Sequence, residues 1–374
     1  MYADDVLAPW AEQTRGMLPP VELFDAHTHI GVDDPDGFKC TAEQLLAVLA
    51  PSRSRAVVFP MHEPAGYPPA NDHVIATALQ SGGVLVPFCR LDPSADPVVE
   101  VHRCVDAGAR GIKLHPRAQK FLLNDDRLAP VFELAADRGV PILIHGGRGL
   151  PPIADELAQL MDRFEPQLII AHAGIADLAA LAHHFGGRPN VFFDTSVWSA
   201  LDLLDLYRLV SPEQVLYASD YPYGQQPSSL LISIRTARLS GLDDAQLRAM
   251  LGGSAARIAA GEQAFELTAP RGVAELTTPL TFARIHQYLS MATPLLWTRQ
   301  ADTIGVLGLA LNACDARSNG HREETEQIRE LLLVARDLWR ALPEAEGEPD
   351  RTRCARAAFR LLHLANTVAV TTPA

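Results

Sequence analysis

Several short apolar runs in this 374-residue chain finish in side chains that bind metals or move protons. Phe24–Ile30 carries His27 and His29, and the two-residue period of a strand puts both imidazoles on one side. Ile142-Leu143-Ile144 leads into His145, Ile169-Ile170-Ala171 into His172, and Tyr217-Ala218-Ser219 into Asp220. In Gly111–Pro116, Lys113 and His115 share a face. A single histidine at a strand end is usually a hydrogen-bonded core or loop residue. Histidines repeated at one depth on separate strands, with a carboxylate among them, describe instead a site for one divalent metal ion. Imidazole with carboxylate suits Zn2+ best, with Mn2+ second. Lys113 points inward on this alternation, where an unpaired ammonium is costly, so a role at the site is expected for it. For His115 the turn at Pro116 offers an equally good structural reason. Arg90 and Arg148 have the chemistry to clamp a substrate carboxylate, although surface solvation would account for either. Trp198, Tyr221 and Tyr223 follow the last two strands and would line an aromatic pocket or pack loops together. His62, His73, His102, His183, His184 and the histidines beyond residue 280 read as surface or helix positions.

Such residues converge only if their strands run side by side and end together. Eight apolar runs recur between residues 20 and 220: Phe24–Ile30, Ala56–Pro60, Val84–Leu91, Gly111–Pro116, Val140–Gly146, Leu168–Gly174, Val191–Ser196 and Val215–Asp220. Most follow a Gly, Pro or Asn break, and each precedes a segment with helical period. In Thr41–Ala50, for example, Thr41 caps the helix, Glu43 lies in the first turn, and Leu45, Leu46 and Leu49 share a face. Alternating strand and helix with short connections imposes a parallel sheet. Eight units in about 240 residues match an α/β fold of the (β/α)8 TIM-barrel type, whose mouth is built at the C-terminal strand ends. An open doubly wound sheet is the runner-up.

The rest of the chain divides around that barrel. Residues 1–20 read as an N-terminal extension, 21–263 as the barrel, 264–279 as a linker and 280–374 as an all-α helical appendage. Its four amphipathic segments lie around Phe282–Ala292, Leu295–Cys314, Ile328–Trp339 and Arg351–Val370, and the acidic stretch Pro343–Asp350 reads as a mobile loop. The appendage would pack a homodimer, cap the barrel or dock a partner. Net charge is −13, of which −12 falls in the first 264 residues. That balance argues against nucleic acid or anionic membrane as a partner and leaves a small anionic substrate open. Five scattered cysteines without a C-x-x-C pair suit reduced thiols. An acidic N-terminus and the lack of an apolar run near about 18 residues point to a cytoplasmic protein.

Taken in order, His27-Thr28-His29, Gly111-Ile112-Lys113-Leu114-His115-Pro116, Ile144-His145-Gly146-Gly147, Ile170-Ala171-His172-Ala173-Gly174, Phe193-Asp194-Thr195-Ser196 and Ser219-Asp220-Tyr221-Pro222 resemble the amidohydrolase superfamily. The resemblance is to its amidohydrolase-2 branch, the aminocarboxymuconate-semialdehyde decarboxylase-like metal-dependent hydrolases. It extends over roughly residues 21 to 262, including Gly252-Gly253-Ser254, where the branch usually has Asn at the position of Ser254. It implies a metal held by His27, His29, His145 and Asp220, with Asp220 and His172 catalytic. It also implies one metal rather than two, so Lys113 is expected to contact substrate rather than bridge ions. Substrate contacts are expected from Lys113, His115, Arg148, Arg90 and Trp198. The activity expected is hydrolysis of a carbonyl-type bond, amide or lactone, in a small carboxylate-bearing substrate by a metal-activated water. Non-oxidative decarboxylation of an unsaturated or aromatic acid is the alternative, and a non-catalytic scaffold the third reading.

Overall fold

The computed structural model describes residues 4–374 apart from 274, 299, 301–302, 316–320 and 343–346. Its strands are β1 (Phe24–Ile30), β2 (Arg55–Pro60), β3 (Leu85–Pro87), β4 (Cys89–Arg90), β5 (Ile112–Leu114), β6 (Ile142–Ile144), β7 (Leu168–Ile170), β8 (Val191–Asp194) and β9 (Val215–Leu216). All pair in parallel, in the orders β1-β2-β3 and β4-β5-β6-β7-β8-β9.

Both seams between these sheets are bridged by backbone hydrogen bonds. Phe88 alone separates β3 from β4; its N–H donates to the Val58 carbonyl (2.9 Å), and that of Cys89 to the Gly111 carbonyl (2.9 Å). The run Val84–Leu91 is therefore one barrel strand with an interruption. At the other seam Ala26 N–H donates to Tyr217 O (2.9 Å), Asp220 N–H to His27 O (2.9 Å) and His29 N–H to Tyr221 O (2.8 Å). Eight parallel strands thus form the (β/α)8 wall.

Side-chain alternation divides the core in two. Ile142, Ile144, Leu168, Ile170, Val191 and Phe193 pack outward against helices, while Leu143, Ile169, Phe192, Leu216 and Phe59 fill the interior, floored by Ala255 and Ile258. Burial on both faces is why these strands read as unbroken apolar runs. The strands are shorter than the sequence suggests. β6, β7, β8 and β9 stop before His145, His172, Ser196 and Asp220, so most of the polar residues stand on the loops just past the strand ends. Thr41 caps its helix as expected, in a capping box with Gln44.

The N-terminal extension is a helix, Asp4–Gly16. The appendage consists of helices Leu280–Trp297, Thr303–Cys314, Arg322–Ala341 and Glu348–Val370. Two details differ from the expected segments. The Leu280–Trp297 helix takes in Leu295, so Leu295–Cys314 is not one helix. Within Pro343–Asp350, residues 343–346 lie outside the described residues, while the last helix already begins at Glu348. The appendage has a core of its own, including Phe282, Ile285, Leu289, Leu331 and Leu362, which also takes in Leu7 and Leu231 of the barrel helix Gln226–Leu239. Among the described residues no helix is long and apolar enough to cross a membrane.

Candidate active site

Phe24 and Ala26 face the barrel interior, so unbroken alternation would turn His27 and His29 outward. A register shift between Asp25 and Thr28 resets the phase. Both imidazoles then converge on one carboxylate oxygen: His27 Nε2 lies 3.2 Å and His29 Nε2 3.1 Å from Asp220 Oδ1. The three residues form the metal-competent cluster found among the described residues.

The far side of each ring decides which nitrogen carries the proton. His27 Nδ1 is 2.7 Å from Asp194 Oδ2, a carboxylate that can only accept, so Nδ1 holds the hydrogen and Nε2 presents a lone pair to Asp220. His29 Nδ1 similarly faces the Pro60 carbonyl at 3.4 Å. Burial keeps both imidazoles neutral, lowering that of His29 to about 3. Two lone pairs and an anionic oxygen pointing at one another repel unless a cation lies among them.

His145 is buried, and neither of its ring nitrogens has a hydrogen-bond partner. Its ring stacks on His115 (centroids 3.9 Å apart, 15° between planes) and meets His172 edge-on at 4.7 Å. His115 has a structural task as well, because its Nδ1 accepts the Ala118 N–H and caps the short helix Pro116–Gln119. His172 opens a tight turn with φ of 57°, followed by Ala173 at 55°; Asp220 has φ of 57°. Left-handed backbone at three non-glycine positions around one site is strain that the surrounding hydrogen bonds must hold in place. Asp194 does this for His172: its Oδ1 accepts the His172 N–H (2.7 Å), while His172 Nδ1 lies 2.9 Å from the Ser196 carbonyl. Gly147 is required beside these rings, since a Cβ there would sit 2.8 Å from His172 and 3.0 Å from His145. Gly147→Ala is expected to lower kcat/KM at least tenfold by displacing one ring by about 1 Å, with little change in melting temperature. Unchanged kinetics would show that the rings tolerate the shift.

These residues stand in one cavity of about 1120 Å³, which also takes in Lys113, Arg90, Arg148 and Trp198. Lys113 points inward between Ile112 and Leu114, fully buried, with no hydrogen-bond partner for Nζ; the ring of Phe59 lies 4.9 Å away. Burial, then the Arg90 charge, lowers its amine to about 7. An unpaired buried cation lowers stability, so Lys113→Met should stabilise the chain by about 1–4 kcal/mol while reducing kcat/KM. With a folded value below the unfolded one, the native state resists protonation. The gain is therefore full below pH 7 and fades as pH rises from about 7 toward 10.5. Denaturation at pH 6 and pH 9 measures it, and an equal gain at both would exclude this origin.

Arg90 is buried; its side chain donates to the Pro60 carbonyl (3.3 Å) and leaves Nη2 without a partner. Arg148 is exposed and lies over the Trp198 ring at 5.8 Å. Tyr223 lines the cavity and donates its hydroxyl to Asp34, whereas Tyr221 is buried in packing with Ile30 and Leu45.

Several residues here were not anticipated. Asp194 ties His27 and His172 together; in sequence it closes the apolar run Val191–Phe193 and belongs to the motif Phe193-Asp194-Thr195-Ser196, without a role of its own. His62, read as a surface position, lines the cavity, as do Arg356, Phe359 and Arg360 of the last helix. The appendage therefore contributes directly to the wall of the mouth.

The sequence profile described as amidohydrolase matches residues 24–258. The chain belongs to the amidohydrolase family. Its members are metal-dependent hydrolases or decarboxylases acting on small molecules, and the TIM-barrel fold follows from that membership. No curated protein matches the chain by whole-sequence similarity. Among solved structures it is similar to 5-carboxyvanillate decarboxylase of Sphingomonas paucimobilis (16% identity, TM-score 0.51, 64% of this chain and 98% of that one). It is similar also to a 2,6-dihydroxybenzoate decarboxylase bound to 2,6-dihydroxybenzoate (15%, 0.52, 64% and 99%). A third is the Pseudomonas putida protein assigned as a 2-pyrone-4,6-dicarboxylic acid hydrolase (17%, 0.51, 65% and 99%). At these identities the likeness concerns the fold. Each neighbour is matched over nearly its whole length, yet leaves about a third of this amidohydrolase uncovered.

Proposed function

We propose that this amidohydrolase is a metal-dependent hydrolase of a small carboxylate-bearing substrate, attacking an amide, lactone or related carbonyl bond. The observation that carries the reading is the convergence of the His27 and His29 lone pairs on the Asp220 oxygen, beside a His145 whose ring nitrogens lack partners. His27, His29 and Asp220 fit a divalent ion, Zn2+ first and Mn2+ second, by donor type and protonation state, and His145, which stands outside that cluster, is the proposed fourth ligand. Such an ion, when bound, lowers the pKa of a water from about 15.7 toward 7 and polarises a carbonyl.

The chain's own residues do the rest. Asp220 takes the proton from the attacking water. His172, its Nδ1 held at the Ser196 carbonyl, keeps Nε2 free to orient that water or to protonate the leaving group. Asp194 fixes the tautomer of His27. Arg90, Lys113, Arg148, His115 and Trp198 bind and orient the substrate. Six basic residues against four carboxylates line the cavity of a protein that is otherwise strongly acidic, which favours an anionic substrate.

Decarboxylation is the second reading, because the same residues can protonate a carbon as carbon dioxide departs, and two of the similar structures are decarboxylases. In this proposal residues 21–263 carry the chemistry in the cytoplasm, and the appendage also offers a homodimer surface. Lactones and cyclic amides assayed beside aromatic and unsaturated acids decide between the readings. Hydrolysis of the former is expected; carbon dioxide release without hydrolysis would overturn the first reading in favour of the second.

A further inference from the structure

Four of the six basic residues of the cavity fall into two groups, while Arg356 lies over the Phe38 ring at 3.9 Å and Arg117 beside Gly149. The inner one is Arg90 and Lys113, beside the metal-competent residues. The outer one gathers on Trp198: the Arg360 guanidinium lies 5.1 Å from that ring and the Arg148 guanidinium 5.8 Å. Arg360 is 8% exposed and belongs to the helix Glu348–Val370, outside the stretch matched by the family. It donates one N–H to the Tyr223 carbonyl. Among the described residues neither Arg148 nor Arg360 forms an ion pair; Asp202 acts on Arg148 only across space. Phe359, one residue before Arg360, meets Trp198 edge-on at 5.4 Å and holds the helix to the barrel loop.

Arg360 is buried and the charge of Arg356 opposes its own, so the cation is costly there without an anion in contact. Asp220 and Asp4 act on Arg360 only across space, and the cavity that Arg360 and Arg148 line has room for a small molecule. A guanidinium fork matches a carboxylate in two parallel hydrogen bonds, and Trp198 and Phe359 give the cavity an aromatic wall that suits a flat conjugated segment. The inner pair presents a second, separate demand for negative charge.

We propose that the appended helix is part of the substrate site, and that Arg360 with Arg148 binds the second carboxylate of a flat dicarboxylic acid whose other end reaches Arg90, Lys113 and the metal-binding residues. This rests on the function proposed above only for which end of the substrate reacts. It assigns Arg360 and Arg148 as specificity-determining residues and gives the appendage a task in recognition.

The test is calorimetric titration of the full-length, metal-loaded chain with benzoate and with benzene-1,3-dicarboxylate. Both probes offer the first carboxylate, so their affinity ratio reports the second. Wild-type protein is expected to bind the dicarboxylate about tenfold more tightly or better. Arg148→Met, on an exposed residue that does not threaten folding, should bring the ratio to about twofold or less. Arg360→Met should do the same, and Arg360→Lys, which keeps the charge but not the fork, should give an intermediate ratio. Equal binding of the two probes by the wild type, or a ratio that survives Arg148→Met or Arg360→Lys intact, overturns the proposal. Because the readout is binding, a chain that hydrolyses and decarboxylates nothing still answers the question. Loss of the ratio, in turn, leaves the metal chemistry standing.

Discussion

Replacing His27 or Asp220 with Ala is expected to remove metal and activity together. Each contributes one of the electron pairs that meet in the cluster, where His27 Nε2 lies 3.2 Å from Asp220 Oδ1. Loss of Asp220 also takes away the negative charge that holds a cation against the neighbouring Lys113. Metal affinity should fall by well over the about 10–100-fold that follows loss of an outer hydrogen-bond partner. Asp194→Asn supplies that smaller case within the same protein, since the amide can no longer hold His27 Nδ1–H as a carboxylate does. Metal content by elemental analysis, measured beside turnover, separates the three variants. If Asp220→Ala retains its metal while His172→Ala loses it, the roles given to these residues are reversed.

His172→Ala should instead leave metal content near that of the wild type and lower kcat by about 10²–10⁴-fold, the range for losing a positioned acid or base. The ring is held through Nδ1 at the Ser196 carbonyl, and its backbone N–H is held by Asp194. Neither anchor uses Nε2. His172→Gln, which keeps a hydrogen-bonding group but cannot carry a proton, should recover little of kcat. Substantial recovery would reduce His172 to a positioning residue.

These expectations rest on residues of very different visibility. His145, His172 and Asp220 stand out in sequence because each interrupts or closes an apolar run, and three such residues on separate strands are harder to explain structurally than one. Lys113 could be placed inward by alternation alone, between Ile112 and Leu114. Asp194 was harder to see, since one acidic residue after Val191–Phe193 does not say which side chain it serves. Its partners His27 and His172 are 167 and 22 positions away. The strand ends were overextended for a related reason. Apolar character continues into loops that the surrounding barrel keeps dry, whereas the hydrogen-bonded ladder stops earlier.

Sequence by itself determined the strand–helix alternation, the apolar period that separates the two core layers, and the residue types able to hold a metal, because these depend on neighbours along the chain. It also showed where the barrel pattern stops and a differently composed, nearly neutral helical segment begins. Tertiary structure alone decided three things. The register shift between Asp25 and Thr28 turns His27 and His29 toward the interior, because the strand must meet β2 and the loop after β9 at once. Asp194 couples two histidines from different strands, because closure of the wall brings them together. The last helix lies over the mouth with Arg360 against Trp198, because its apolar face shares a core with Leu7 and Leu231 rather than standing apart. Periodicity records which face of an element is buried; contact between distant elements has to be read from the fold.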